Sequence, residues 1–235
     1  LIKRFGKAGE GPGEFRYNAA QNRPLSMSVQ NGELVVNSLN RLTFFTMEGD
    51  YIRELNPTTD VFFFRIKDSY VGLGPTSDGD ANVFRLGFRI HDAGFKAGKL
   101  IHLTDFNLGI PDKFILPAEI FSYNPVYKDR IYIGTSPDEF NIDVFDSDGT
   151  KLYRIHKDYD RIPIGEEYNK LAHDFFRTSP RFRDAYELLS KVLAFRSHFP
   201  PIRDLQIIED RIHVLTYRRQ GDLWEMIVLD LKGTE

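Results

Sequence analysis

The sequence predicts an all-β fold, a β-propeller of four-stranded antiparallel blades. Three observations predict it. The first is a layout that recurs along the chain: strand, polar turn, strand, Gly turn. "GELVVNSLNRLTFFTMEGDYIREL" (32–55), "DRIYIGTSPDEFNIDVFDSDGTKLYRIH" (129–156) and "DRIHVLTYRRQGDLWEMIVLDLKGTE" (210–235) all follow it. The second is composition: 20 Phe and 11 Tyr stand against 3 Met and 1 Trp, and aromatic side chains suit pleated, half-buried surfaces. The third is the turn chemistry. Glu48-Gly49-Asp50, Asp148-Gly149 and Lys232-Gly233 close the second run of each copy, as short hairpins require.

Each copy opens on an alternating apolar run: Leu34 and Val36, Ile131 and Ile133, Ile212 and Val214. The first two copies close with a third short strand, "YIREL" and "KLYRI". A less regular copy spans about 60–106, with "DVFFFRIKD", "SYVGLG", "NVFRLGFRIHD" and "KLIHLTDF". Another apolar segment precedes each core copy: "PLSMSVQ" (24–30), "IFSYNPVYK" (120–128) and "PIRDLQIIE" (201–209). That makes four strands per unit and four units in series, the pattern of propeller blades.

The last unit lacks a fourth strand after Thr234-Glu235, and the chain begins with an orphan strand, "LIKRF". Either this strand completes the last blade and closes the ring, or it is the tail of an earlier blade. Closure would remove exposed sheet edges. The first residue is Leu rather than Met, as expected of a chain that is processed, trimmed or incompletely known. The expected domain organisation is a single propeller domain over 1–235.

Helical spacing interrupts the pattern near 165–199. "GEEYNKLAHDFF" (165–176) and "SPRFRDAYELLSKVLAFRSHF" (179–199) both carry it. In the second, Ser179 suits a cap and Pro180 the first turn, and Phe182, Tyr186, Leu189 and Leu193 share a face. The sequence therefore predicts a helical insertion between blades, ended by "FPP" at 199–201.

The opening run "GKAGEGPGEF" invites a phosphate-loop reading. A phosphate loop needs its glycines between a strand and a helix, with Lys-Ser or Lys-Thr at its end. Here Lys7 precedes Gly9, Gly11 and Gly13, and "RPLSMSVQ" downstream is a strand. No helix terminus is present to hold an anion. Gly9, Gly11, Pro12 and Gly13 are read as a structural turn between blades.

These residues carry a resemblance. "FGKAGEGPGEF", then "GELVV", Asn40-Arg41, Phe45 and "EGDYIREL" resemble the NHL-repeat and related six-bladed β-propellers. In those families a stretch F-G-x-x-G-x-G-x-G-x-F joins one blade to the next. The "GEGPGEF" spelling is most similar to bacterial secreted or lipoprotein propellers. The resemblance covers residues 5–55 strongly and the units at 129–156 and 201–235 in pattern. It implies a propeller fold, with six blades in the family against four units visible here, and an extracytoplasmic location, periplasmic or secreted. Function follows only weakly from such a fold.

For chemistry, the sequence is more informative about what it lacks. There are no cysteines, which removes disulfides, thiolate catalysis and Cys-based metal sites. Asp146-Ser147-Asp148-Gly149 and Asp78-Gly79-Asp80 begin like calcium loops, but the spacing of Gly and of a closing Glu is wrong. They read as hairpin turns. Asp138, Glu139 and Asp143 are weighed as companions of a cation and set aside. No two of His91, His102, His156, His173, His198 and His213 stand three to five residues apart, so no local zinc pair exists. His213 is placed outward if Ile212 and Val214 face inward. No nucleophile elbow occurs. No catalytic residue, metal ligand or cofactor is assigned.

The expected function is a non-catalytic propeller scaffold that binds protein, as a subunit or accessory of an extracytoplasmic assembly. The alternative is a metal-dependent, lactonase-like hydrolase using carboxylates of the central channel. The expected interface is Arg177, Arg181, Arg183, Arg196, Phe199, Arg203, Arg218, Arg219 and Trp224, because Arg and aromatic side chains anchor interfaces. The partner is expected to be protein. Some NHL propellers bind RNA, but the net charge of −3 argues against nucleic acid. No run approaches the ~18 apolar residues of a spanning helix, so no transmembrane segment is expected.

Overall fold

The computed structural model describes residues 5–16, 26–30, 32–38, 41–56, 62–76, 84–95, 98–106, 114–115, 125–180, 182–191 and 193–235. Four antiparallel meanders follow one another. The first sheet is β1 (Ser26–Gln30), β2 (Glu33–Asn37), β3 (Leu42–Phe45) and β4 (Tyr51–Leu55), in that order. The second is β5 (Phe62–Ile66), β6 (Ser69–Thr76), β7 (Phe84–His91) and β8 (Lys99–Phe106). After the two-residue strand β9 (Phe114–Ile115) comes the third, β10 (Val126–Tyr127), β11 (Arg130–Gly134), β12 (Phe140–Phe145) and β13 (Lys151–Lys157). The insertion holds α1 (Glu166–Thr178), a 3-10 turn at Arg183–Ala185, α2 (Tyr186–Leu189) and β14 (Leu193–Ala194). The fourth sheet is β15 (Asp204–Ile208), β16 (Arg211–Gln220) and β17 (Leu223–Asp230), with three strands among the described residues. The chain is thus a series of propeller blades with a helical insertion, as the repeats predict.

Alternation along the strands builds the core. Ile131, Ile133 and Phe145 of the third sheet face back and pack on Ile66, Val71, Leu73 and Phe88 of the second. Tyr132, Ile142 and Val144, on the opposite face, pack forward on Leu205, Ile212, Val214, Ile227 and Leu229 of the fourth. Val35, Leu42 and Phe44 of the first sheet meet Phe63 and Tyr70 of the second in the same way. A sheet between two neighbours is covered on both faces, which is why every residue of β12 is buried, Asn141 and Asp143 included. The inner turns are also tied together: Lys128 reaches Asp210 at 2.6 Å, and the Asp210 N–H donates to Tyr127 Oη at 3.0 Å.

The Gly turns are the same hairpin in three blades. The N–H groups of Gly49, Gly149 and Gly233 donate to the carbonyls of Thr46, Asp146 and Asp230, all at about 3 Å. Asp146 Oδ1 also accepts the N–H groups of Asp148 and Thr150, and Asp230 Oδ1 those of Lys232 and Thr234. These carboxylates hold turns, as expected of Asp146-Ser147-Asp148-Gly149. Asp78-Gly79-Asp80 lies outside the described residues. Each turn presses on the outer strand of the preceding unit. A Cβ on Gly149 would lie 2.3 Å from Ile101, one on Gly233 2.6 Å from Ile155, and one on Gly49 2.9 Å from Phe5. Phe5 therefore takes, against the first blade, the place that an outer strand takes against the later ones. The rest of the orphan strand, residues 1–4, lies outside the described residues.

The opening glycines wrap a group of the chain's own. Gly9 N–H donates to Phe15 O, and Phe15 N–H to Lys7 O, so the loop closes on itself. Inside it sits the Glu14 carboxylate, accepting from Gly11 N–H at 2.8 Å and paired with Lys7 Nζ at 2.9 Å. A Cβ on Gly9 would meet Glu14 Oε2 at 2.0 Å. The space a phosphate would take is filled by a carboxylate. Buried Arg41 fastens the loop to the first blade through Glu10 O at 3.1 Å and Glu10 Oε2 at 3.2 Å.

The insertion differs from expectation in its second half. α1 has Glu166 and Glu167 in its first turn and Arg177 in its last, each favourable to the helix dipole. Beyond Ser179 the predicted long helix shrinks to a 3-10 turn and the four residues of α2. Leu193 and Ala194 instead pair in parallel with Phe114 and Ile115. Strand pairing takes the backbone groups that helical periodicity would have used. Phe182 still packs inward, 5.0 Å from Phe176.

Candidate functional site

The longest hairpin, β16–β17, carries the densest set of expected interface residues. It is regular from Arg211↔Asp230 to Leu215↔Met226 and resumes at Arg219↔Trp224. Between them Thr216, Tyr217 and Arg218 bulge opposite Glu225. A bulge re-aims the side chains around it. Here it sends Thr216 Oγ1 to donate to Glu225 Oε2 at 2.8 Å, where Tyr159 Oη also donates at 2.8 Å. Arg218 lies 5.0 Å over the Tyr159 ring and 3.7 Å from Glu225 Oε1. This side of the bulge is a closed polar cluster linking the fourth blade to the third.

The other side is a run of stacked aromatic and guanidinium groups. Tyr168 of α1 meets Phe199 edge-on at 4.9 Å. Phe199 lies flat on Tyr217, centroids 4.4 Å apart at 13°. Arg203 is 5.5 Å from the Tyr217 centroid and 4.2 Å over Trp224. Arg219 covers Trp224 at 4.5 Å. Cations over indole faces are held by the ring quadrupole. The run extends from the insertion to the hairpin tip, where Leu223 is 74% and Trp224 39% exposed.

The structure thus brings together Phe199, Arg203, Arg219 and Trp224 through Tyr217, and turns Arg218 to Tyr159 and Glu225 on the other side of the bulge. It does not bring Arg177, Arg183 or Arg196 to them. Arg177 is held by Asp174 within α1, and Arg183 by Asp184 at 3.3 Å. Arg196 pairs with Asp138 at 2.9 Å. Arg181 lies outside the described residues. Tyr217, Tyr159 and Tyr168 belong to the site but escaped sequence reasoning. Tyr217 sits in the bulge, where alternation no longer tells which face a side chain takes.

The carboxylates weighed for a cation have partners of another kind. Asp143 accepts from Arg154 at 2.6 and 2.9 Å and pairs with Lys151 at 2.9 Å. Its burial alone would raise its pKa, but the hydrogen bonds from Arg154 and Lys151 together hold it below the ordinary Asp value. Glu139 accepts from Asn141 at 2.7 Å. Among the described residues no three His, Asp or Glu side chains group as a metal site. The histidines are dispersed: His156 bonds Asn141, His173 bonds Tyr186, and His91 lies in the Phe63–Phe95 cluster. His213 is half-buried while Ile212 and Val214 are fully buried, which is the expected orientation. Half-buried His102 has its pKa lowered, chiefly by desolvation.

No family model and no curated protein matches the chain. Among solved structures it is similar to the Pan2 WD40 domain of Neurospora crassa, at 10% identity and a TM-score of 0.35 over 89% of this chain. The match spans 62% of that domain's length. The fold assignment rests on the sheets and their packing, not on this likeness. No helix among the described residues is long and apolar enough to cross a membrane.

Proposed function

We propose that the protein is a non-catalytic propeller scaffold that binds another protein through the stacked Arg and aromatic side chains of the β16–β17 hairpin. The observation that carries this reading is Arg203 and Arg219 stacked on the partly exposed Trp224. Trp, Tyr and Arg dominate interface hot spots. Guanidinium groups already held over a ring lose little rotamer freedom on binding. Their fork of donors suits carboxylates, so the partner is expected to present acidic side chains around an apolar centre.

The reading extends to points suggested by the opening motif. Residues 1–235 belong to a single propeller domain of the NHL-like, bacterial six-bladed type. The protein works outside the cytoplasm as a subunit or accessory of an assembly.

The test is affinity capture from the native source, with the wild type and the double variant Arg203→Ala/Trp224→Ala as bait. A protein retained by the wild type and lost from the variant, at unchanged melting temperature, is the expected result. Equal retention on both baits would overturn the reading.

A further inference from the structure

The turn between β7 and β8 of the second blade departs from its counterparts. Phe95 N–H donates to Asp92 O at 3.0 Å, and Gly94 N–H to Asp92 Oδ1 at 2.9 Å. In the third blade the same two bonds join Gly149 to Asp146 O and Asp148 to Asp146 Oδ1. Phe95 therefore holds the place in the turn that Gly49, Gly149 and Gly233 hold in the other blades. It also keeps their left-handed backbone, with φ at +55°. The other non-glycine residues at positive φ among the described residues are Lys67, Lys128, Asp129, Glu209 and Asp210, all polar and all in two-residue hairpin turns. Phe95 is the aromatic one, in a conformation that a residue with a Cβ disfavours.

Ring contacts hold it there. The Phe95 ring stacks on Tyr70, centroids 4.6 Å apart at 30°, and meets Phe63 edge-on at 5.1 Å. His91 lies 5.8 Å away. Phe63, Tyr70 and His91 are buried, and Phe95 packs half-buried against the core that joins the first and second blades. Backbone strain is thus set against aromatic packing, which is the balance of a two-state element. The relaxed state has its residue at hand. Gly94 precedes Phe95 and is not at positive φ. Moving the left-handed bend back by one residue puts it on a glycine, frees Phe95 and turns the ring outward.

We propose that Phe95 is a displaceable plug, and that the pocket it fills, walled by Phe63, Tyr70 and His91, takes a flat aromatic group of a ligand when the turn opens. The chain's own ring shows the chemistry the pocket accepts: one wall offers a stacked contact and another an edge-on one. The group is either a partner's aromatic side chain or a free small aromatic molecule. The site shares no residue with the β16–β17 hairpin and goes beyond the scaffold reading.

Para-fluorophenylalanine placed at position 95 reports the ring by fluorine NMR, with indole and N-acetyltryptophanamide as probes. The proposal expects a minor second resonance in the otherwise wild-type chain, rising as indole is added. Gly94→Ala suits the observed turn, where its Cβ would sit 3.4 Å from Asp92 Oδ1, but not the open one. It should remove the minor resonance and weaken indole binding at least about threefold. Phe95→Gly keeps the turn and empties the pocket, so it should bind indole at least about tenfold more tightly than the wild type, whose affinity is reduced by the plugged fraction. Binding of both probes supports a partner's side chain as the ligand, and binding of indole alone supports a free aromatic molecule. A single resonance that indole does not move overturns the proposal, as does an indole affinity that neither variant changes. Loss of indole binding in Arg203→Ala/Trp224→Ala also overturns it, by placing the probe on the hairpin.

Discussion

The guanidinium of Arg203 lies 4.2 Å over the indole ring of Trp224. Arg219 approaches the same ring at 4.5 Å, from the neighbouring strand. One exposed indole thus orders two cations that arise sixteen residues apart in sequence. A double-mutant cycle on Arg203 and Trp224 is expected to give a coupling of about 1 kcal/mol, the range for partly exposed cation–π pairs. Denaturant melts of the two single variants and the double variant measure it.

Gly149 is expected to be intolerant of any side chain. Its φ of +74° disfavours L-residues, and a Cβ would lie 2.3 Å from Ile101 and 2.9 Å from Ile90. Gly149→Ala should cost about 3 kcal/mol, from the left-handed backbone and overpacking together. Gly221, also at positive φ but with nothing within 4 Å of its Cβ position, should lose only about 1 kcal/mol in Gly221→Ala. Equal losses at the two sites would show that the packing of turn on outer strand contributes nothing.

Acid should unfold the third blade through Asp143. Its pKa is depressed in the folded state relative to 3.8, so its contribution is complete above about pH 4 and is lost as pH falls through the folded value. Asp143→Asn is expected to cost about 1–2 kcal/mol at neutral pH, because Arg154 and Lys151 are partly exposed and keep some hydration. The variant's melting temperature should then change less than the wild type's between pH 5 and pH 3. Parallel slopes would contradict the assignment.

Arg41 should matter more than a surface arginine. It is buried and holds the Gly loop by the Glu10 carbonyl and carboxylate. Arg41→Met is expected to cost about 2 kcal/mol, the scale of hydrogen bonds made by a charged group, and to speed proteolysis within residues 6–14. Thermal melts and timed digestion with mass detection check both.

The blades were legible because their signals are local. Alternation in "RIYIG" and "RIHVL", and a Gly turn after each second run, place Ile131, Ile133, Ile212 and Val214 inward without reference to the rest of the chain. What was not legible depends on distant pairing. Helical spacing over 179–199 was overruled by the pairing of Leu193 with Phe114. The loop's occupant, Glu14, was hidden because a glycine run does not say which group it encloses. Among the interface arginines, the sequence offered no means of separating Arg203, stacked on Trp224, from Arg177, held by Asp174 one turn away. That distinction is set by the bulge at Thr216–Arg218 and by where the segment after Phe199 crosses the hairpin.

The most direct test of the scaffold reading is the affinity of the captured partner for wild-type protein and for Trp224→Ala, titrated by calorimetry. The reading predicts a dissociation constant raised at least about thirtyfold, the scale of a 2 kcal/mol hot spot, with the fold intact by circular dichroism. An unchanged constant would contradict it.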